Sequence, residues 1–202
     1  MKFKLYSHRF AEHIVKDDED FIYDYNEIVN VIESIDDLSL KARFQEEQEK
    51  RQNTKSLSTS INGLIKEGLE KAGWNSESAI FKEEEYIKGN TSYWRLDFAK
   101  NNISIEVAFN HQEATAHNIM KPVLAGELNH VEKEIQSKMG VIICATDNLK
   151  KQGGFDGSIG TYERFISFMR PYNNFVTIPL IIIGLESPDS FCILKRKIMN
   201  FS

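Results

Sequence analysis

The sequence predicts an α/β protein in which a mixed central β-sheet is flanked by helices on both sides. Two continuous apolar runs, at residues 141–146 and 178–185, are typical of strands that are buried on both faces. A third observation is a pair of short strands around a polar turn at residues 100–102. Because helical patterns lie between the strands along the chain, we expect a layered α/β arrangement.

The first half of the chain contains four recognisable segments. Residues 3–8 alternate like a short strand, and residues 24–38 place isoleucines at helical spacing. Residues 41–56 are rich in Glu, Gln, Lys and Arg, which indicates either a solvated helix or a mobile charged arm. Residues 58–72 carry an apolar stripe and are followed by Gly73, so a helix is expected to end there.

The second half contains the remaining strands and helices. We expect an edge strand at residues 81–87 and a hairpin formed by residues 93–98 and 103–109. A long helical pattern at about 113–138 is a candidate dimer element, and a shorter helix is expected at about 159–169.

Composition narrows the class of protein. The chain has 202 residues with neither internal repeats nor a Pro/Gly/Ser-rich linker, which predicts one domain spanning 1–202, with the charged segment at 41–56 as its only candidate mobile part. No apolar run reaches the roughly 18 residues that a membrane helix needs, and two cysteines fit a reduced, cytoplasmic location. The net charge of −5 argues mildly against a non-specific nucleic-acid binder.

The hairpin carries an acid on each of its strands, at Asp97 and Glu106. Removing an unpaired carboxylate from water costs several kcal/mol or more, so two acids on apolar strands require a shared partner. A divalent cation such as Mg²⁺ is one candidate, since it prefers one or two carboxylates together with water and phosphate oxygens. The alternative is that each acid pairs with Arg95, Lys100 or a backbone donor.

The stretch Asp-Phe-Ala-Lys-Asn-Asn-Ile-Ser-Ile-Glu-Val-Ala-Phe, at residues 97–109, resembles the active-site hairpin of the BglII- and BstYI-like type II restriction endonucleases of the PD-(D/E)XK superfamily. The start at Tyr6-Ser7-His8, the Glu-Lys-Ala-Gly-Trp sequence at residues 70–74 and the strand at 178–185 are similar as well. The resemblance covers most of residues 1–190 and implies a restriction-endonuclease-like core.

This resemblance implies a function for the site. Asp97 and Glu106 match the two metal-binding acids, with Mg²⁺ as the cofactor and Glu106 also orienting the attacking water. The implied substrate is a short palindrome in double-stranded DNA, cut by a homodimer to leave 5′-phosphate ends. The resemblance further implies a target that contains GATC. A cognate DNA methyltransferase is expected in the same system, although not as a stable partner.

The third position of the resembled motif falls on Ala108, where such enzymes carry Lys or Gln. Either a neighbouring group supplies that function or the enzyme relies chiefly on the metal. The candidates for a substitute are Gln112, Glu113, His111 and Lys100. Glu77 is a further candidate, because it follows Trp74 where this family often places a polar side chain near the metal; a loop cap is the alternative.

Two segments are candidates for DNA contact. Asn110 and His111 directly follow the second acidic strand, and Asn can bind adenine edges through two hydrogen bonds. In the glycine-rich stretch at 153–160 and just after it, Asp156, Ser158 and Tyr162 are the candidates. The alternative is that Asn110 only ends a strand and that the residues after it begin a helix.

Two other functions remain open from the sequence. Ala108 favours a catalytically impaired or inactive DNA-binding or regulatory protein of the same fold. A repair nuclease without sequence specificity is the third possibility, and the absence of strong positive charge argues against it.

Overall fold

The computed structural model describes residues 1–51, 54–87, 94–127 and 130–201. Its strands are β1 Phe3–His8, β2 Asn75–Ala79, β3 Arg95–Lys100, β4 Ile103–Ala108, β5 Met139–Ala145, β6 Leu180–Leu185, β7 Phe191–Leu194 and β8 Lys197–Asn200. Its helices are α1 Ala11–Asp17, α2 Glu19–Ser34, α3 Asp37–Lys50, α4 Ser58–Lys71, α5 Glu84–Ile87, α6 Thr115–Gly126, α7 Asp147–Gln152 and α8 Tyr162–Tyr172. Within these ranges, no helix is long and apolar enough to span a membrane.

A six-stranded mixed sheet forms the centre, in the order β1-β6-β5-β4-β3-β2. Strands β4, β5 and β6 are parallel to one another. Strand β1 pairs antiparallel with β6 on one side, and β3 and β2 extend the sheet in antiparallel pairs beyond β4 on the other. Strands β7 and β8 pair separately. This sheet, with helices on both faces, confirms the predicted fold class.

The two faces of the sheet carry different helices. On β4, Ile103 and Ile105 pack in the large core beneath α1 to α4, whereas Ala108 packs with Ile119 of α6 and Phe165 of α8. Since successive side chains of a strand point to opposite faces, Glu106 shares the α6 face with Ala108. The alternation of side chains along β4 therefore directs Glu106 towards α6.

Helix α6 lies unusually close to β5. A Cβ added at Gly140 would lie 2.6 Å from Pro122 Cβ and 2.7 Å from Leu180 Cδ1. Pro122 is an internal residue of α6, and both it and the neighbouring Lys121 are buried. The missing side chain at Gly140 thus lets this part of the helix touch the sheet.

Three sequence predictions differ from the structure or need new bounds. The helix expected at 113–138 ends at Gly126, because the chain then turns back and the Glu134 amide donates to the Ile80 carbonyl at 3.0 Å. The edge strand expected at 81–87 is wrong: β2 lies earlier, and α5 occupies the end of that range. The helix expected from 159 begins at Tyr162.

The charged segment at 41–56 is largely helical. Residues 41–50 belong to α3, which starts with a capping box between Asp36 and Ser39 and buries Phe44. The solvated-helix alternative therefore describes this part of the segment. Residues 52–53 lie outside the described residues.

We expect Gly140→Ala to lower the free energy of unfolding by about 1–3 kcal/mol, because the new methyl group overpacks the α6–β5 contact. Urea denaturation followed by circular dichroism measures this change. Gly157→Ala is the matched control, since nothing lies within 4 Å of its added Cβ. Equal stabilities for the two variants would contradict the close approach of α6 to the sheet.

Candidate active site

The two strands of the β3–β4 hairpin stop pairing at Asp97, the first of the two acids. The two strands pair from Lys100↔Ile103 to Phe98↔Ile105, and the paired register ends there. Beyond that point the Asp97 side chain takes the place of a strand carbonyl, with Oδ2 accepting a hydrogen bond from the Val107 amide at 2.6 Å. The strand opening thus fixes the orientation of the Asp97 carboxylate.

Glu106 is buried on the α6 face of the hairpin, with 3% of its surface exposed. Its Oε1 forms an ion pair with Nζ of Lys121 at 2.5 Å, and the Lys121 side chain is 9% exposed. Its second oxygen, Oε2, is buried and has no hydrogen-bond partner among the described residues. A buried carboxylate oxygen without a donor is costly, so Oε2 is a free ligand position.

The electrostatics show that the two acids are neighbours. Burial raises the pKa of Glu106 to about 8, and the charge of Asp97 adds to this rise. The Lys121 ammonium opposes it, as does, more weakly, a hydrogen bond from the Asp97 backbone amide. Burial also raises the pKa of Asp97, while the Val107 amide and the Lys121 charge oppose that shift. One lysine therefore acts on both carboxylates, and burial outweighs its effect.

A cleft of about 170 Å³ opens beside Asp97. Its other walls come from α4, β2 and the hairpin, and they are Asn62, Lys66, Ser76, Glu77, Phe98 and Val107. The β2–β3 register places Glu77 across from Asp97. Its backbone has a φ of 52°, a left-handed conformation that costs a non-glycine residue about 1–3 kcal/mol.

The role expected for Glu77 stays a prediction, although the structure places this residue close to Asp97. Its carboxylate lines the same cleft as Asp97, and its charge contributes to the raised pKa of that residue. Strained backbone often accompanies functional sites, although the strain alone assigns no role. Glu77 is the third acid at this site, and it lies on the exposed side.

The donors present fit a divalent cation with oxygen ligands. Among the described residues, no three His, Cys, Asp or Glu side chains form a metal-holding group, so the site is a carboxylate pair rather than a closed cage. Mg²⁺ suits such a pair, because it retains waters and takes substrate phosphate oxygens as its other ligands. The unpartnered Oε2 of Glu106 is the specific observation that favours a cation here.

The two segments expected to contact DNA lie side by side. The Gln112 amide donates to the Ser158 carbonyl at 2.7 Å, and the Gly160 amide donates to the Asn110 carbonyl at 3.1 Å. These bonds join the segment after β4 to the loop before α8, although the two are far apart in sequence. The structure thus gathers Asn110, His111, Asp156 and Ser158 on one edge.

Side-chain contacts order this edge further. Asn110 and Asn118 of α6 exchange amide hydrogen bonds, the shorter being 2.8 Å from Asn118 Nδ2 to Asn110 Oδ1. Asp156 accepts hydrogen bonds from the Ser158 amide and hydroxyl, and these bonds lower the pKa of Asp156. Asp156 is exposed, so its carboxylate faces solvent at the tip of the loop.

Three predicted residues do not join the site. Tyr162 is only 7% exposed and its ring packs against Gly184 in the core, so its side chain is not accessible to DNA. The Glu113 side chain is 87% exposed and lies 3.7 Å from His111. Lys100 cannot replace the third motif residue, because its ammonium is bound to Glu27 at 2.7 Å.

Lys121 is the site residue that sequence reasoning missed. It lies 15 residues beyond Glu106, outside the hairpin and within a segment that had been assigned to one long helix. A signal did exist: it is the one basic residue in the otherwise uncharged stretch at 118–126. A lone cation among residues of a buried helix needs an anionic partner.

Comparisons with known proteins identify the family and the fold of this chain. The family model described as restriction endonuclease BglII/BglIII matches residues 3–185. No curated protein matches the chain.

Two solved structures share the fold. A crystal structure of restriction endonuclease BglII complexed with a DNA 16-mer is similar with a TM-score of 0.66 and 16% identity, over 99% of this chain and 88% of that one. A crystal structure of free BglII is similar with a TM-score of 0.58 and 15% identity, over 95% and 83% of the two chains. Since the family model spans nearly the whole sequence, the chain belongs to the BglII/BglIII family of restriction endonucleases.

Proposed function

We propose that this chain is a Mg²⁺-dependent type II restriction endonuclease that cuts a short palindrome in double-stranded DNA. The observation that carries the proposal is the Asp97–Glu106 pair, in which one buried oxygen, Glu106 Oε2, has no partner among the described residues. Both carboxylates would hold the cation. When bound, Mg²⁺ supplies charge neutralisation at the phosphate and lowers the pKa of the attacking water.

The protein groups have separate tasks in this proposal. The Val107 amide holds Asp97 in one orientation, so a ligand oxygen is already in place before the substrate arrives. Glu106 orients the attacking water in line with the phosphorus, and cleavage leaves a 5′-phosphate. The low exposure of Glu106 keeps bulk water away from this carboxylate, which strengthens its electrostatic interactions.

Recognition of DNA belongs to the edge formed by residues 110–112 and 156–160. Asn110 and His111 contribute side chains that can bind base edges or phosphates, and Asp156 and Ser158 lie at the tip of the adjoining loop. A homodimer would present two such edges to the two halves of a palindrome, with GATC as the proposed centre. We propose that it acts in the cytoplasm beside a cognate methyltransferase that protects host DNA, where both cysteines remain free.

The second candidate, a DNA-binding protein without cleavage activity, is favoured by Ala108. One assay separates the candidates: purified protein is incubated with plasmid and phage DNA in Mg²⁺ and in EDTA. Discrete fragments that need Mg²⁺ support the proposal, and a smear indicates a non-specific nuclease. Intact DNA with a measurable gel shift indicates the inactive binder and overturns the proposal.

We expect Asp97→Asn and Glu106→Gln each to slow single-turnover DNA cleavage on the order of 100-fold or more, because each removes a charged cation ligand. Rates are measured at saturating enzyme and Mg²⁺. Glu49→Gln, an exposed acid on α3, is the control that removes one charge without touching the site. Full activity in either site variant would show that the acid pair is not the cation site.

Cation binding is also expected to depend on pH. Because the pKa of Glu106 is raised to about 8, a proton occupies this carboxylate below that pH and competes with the metal. Mn²⁺ affinity, measured by electron paramagnetic resonance without DNA, should therefore rise at least roughly tenfold from pH 6 to pH 8. Glu106→Gln should remove this dependence, and an unchanged dependence in that variant would assign it to another group.

A further inference from the structure

On the α6 face of the hairpin, Lys121 supplies a positively charged side chain, whereas Ala108 of β4 supplies no polar group. Ala108 is fully buried and packs among apolar side chains of α6 and α8, so the part of β4 that follows Glu106 offers no polar side chain on this face. Lys121 reaches the same face from α6, with its Nζ 2.5 Å from Glu106 Oε1. The helix thus brings a positive charge to the acids at the point where the strand has none.

Burial makes this lysine different from an ordinary surface ion pair. The side chains of Lys121 and Glu106 are 9% and 4% exposed, and burying such a pair costs several kcal/mol in desolvation. An apolar residue at either position would avoid that cost. The pair also leaves Glu106 Oε2 without a donor within the described part of the chain, so Lys121 does not complete the hydrogen bonding of the carboxylate. Burying Lys121 therefore lowers the stability of the fold but places a positive charge beside the acid pair.

Two other lysines near the hairpin can be compared with it. Lys100 is bound on the opposite side of the sheet, to Glu27 and to the Ala72 carbonyl at 2.8 Å. Lys66 lines the cleft beside Asp97, but its side chain is 52% exposed and lies 3.7 Å from Glu70. Of these three lysines, only Lys121 has its ammonium at a carboxylate of the acid pair.

We infer that Lys121 is a catalytic residue which supplies from helix α6 the positive group that Ala108 cannot supply from the strand. This inference rests on the proposed nuclease function. Before substrate binds, the ammonium partly neutralises Glu106. With DNA in the site, a divalent cation held by Asp97 and Glu106 would take over the neutralisation of Glu106. The Lys121 ammonium then donates a hydrogen bond to an oxygen of the phosphate that is cleaved.

Opposite effects on cleavage and on cation affinity distinguish this role from a structural one. With the ammonium removed, the cation no longer competes with Lys121 for Glu106. We therefore expect Lys121→Gln to bind Mn²⁺ several-fold more tightly without DNA at alkaline pH, where no proton remains on Glu106 to compete with the metal. Single-turnover cleavage in Mg²⁺ should slow on the order of 100-fold. Lys121→Arg, which keeps the charge, should recover part of the cleavage rate. A purely structural lysine would lower both quantities together with the urea midpoint.

Two control variants distinguish a specific role of Lys121 from a general effect of removing a lysine. Lys16→Gln removes an exposed lysine of α1 and should change neither quantity, whereas Lys66→Gln tests the competing lysine. If Lys66→Gln slows cleavage and Lys121→Gln does not, the inference is overturned. Weaker Mn²⁺ binding by a folded Lys121→Gln variant at the same alkaline pH overturns it as well, whatever the activity. If the wild-type protein itself cuts no DNA in Mg²⁺, the proposed function fails rather than the role of Lys121 alone.

Discussion

The arrangement of this site depends on a carboxylate that is kept out of water. Glu106 can remain on a central strand because Lys121 offers it a charge at 2.5 Å, yet one of its oxygens has no donor among the residues that the structure describes. The carboxylate is thus partly stabilised and partly unsatisfied, which suits the cation ligand that we propose it to be. The Asp97 carboxylate is held differently, by a backbone amide that the opening of the hairpin exposes.

The fold supplies this ion pair through a chain of close contacts. Gly140 has no side chain, so Pro122 touches β5, and the adjacent Lys121 is carried into the buried layer beside β4. Parallel pairing of β4 with β5 fixes Glu106 opposite Ile142 and so sets the height of the acid relative to the helix. A glycine and a proline thus determine the position of a charged group that neither of them contacts through polar atoms.

The sequence predicted the sheet and the acid pair because both depend on local patterns. Apolar runs identified β5 and β6, and the acids stood out within the hairpin itself. The end of α6 at Gly126 could not be read locally, since it depends on the return of residues 130–138 to pair with residues 80–82. Lys121 was missed for the same reason: its partner is 15 residues away, and only the packing of α6 brings the two together.

Helix α6 also connects the edge that we propose to face DNA with the acids. Its Asn118 is hydrogen-bonded to Asn110, and Lys121 follows one turn later on the same helix. A bound duplex that moved Asn110 would therefore also move the ammonium through α6, whereas Asp97 is attached to the hairpin. An incorrect base sequence need not block entry of the duplex to prevent cleavage. A small displacement of the Lys121 ammonium on α6 would be enough to slow cleavage. Discrimination between DNA sequences could then occur after binding, at the chemical step.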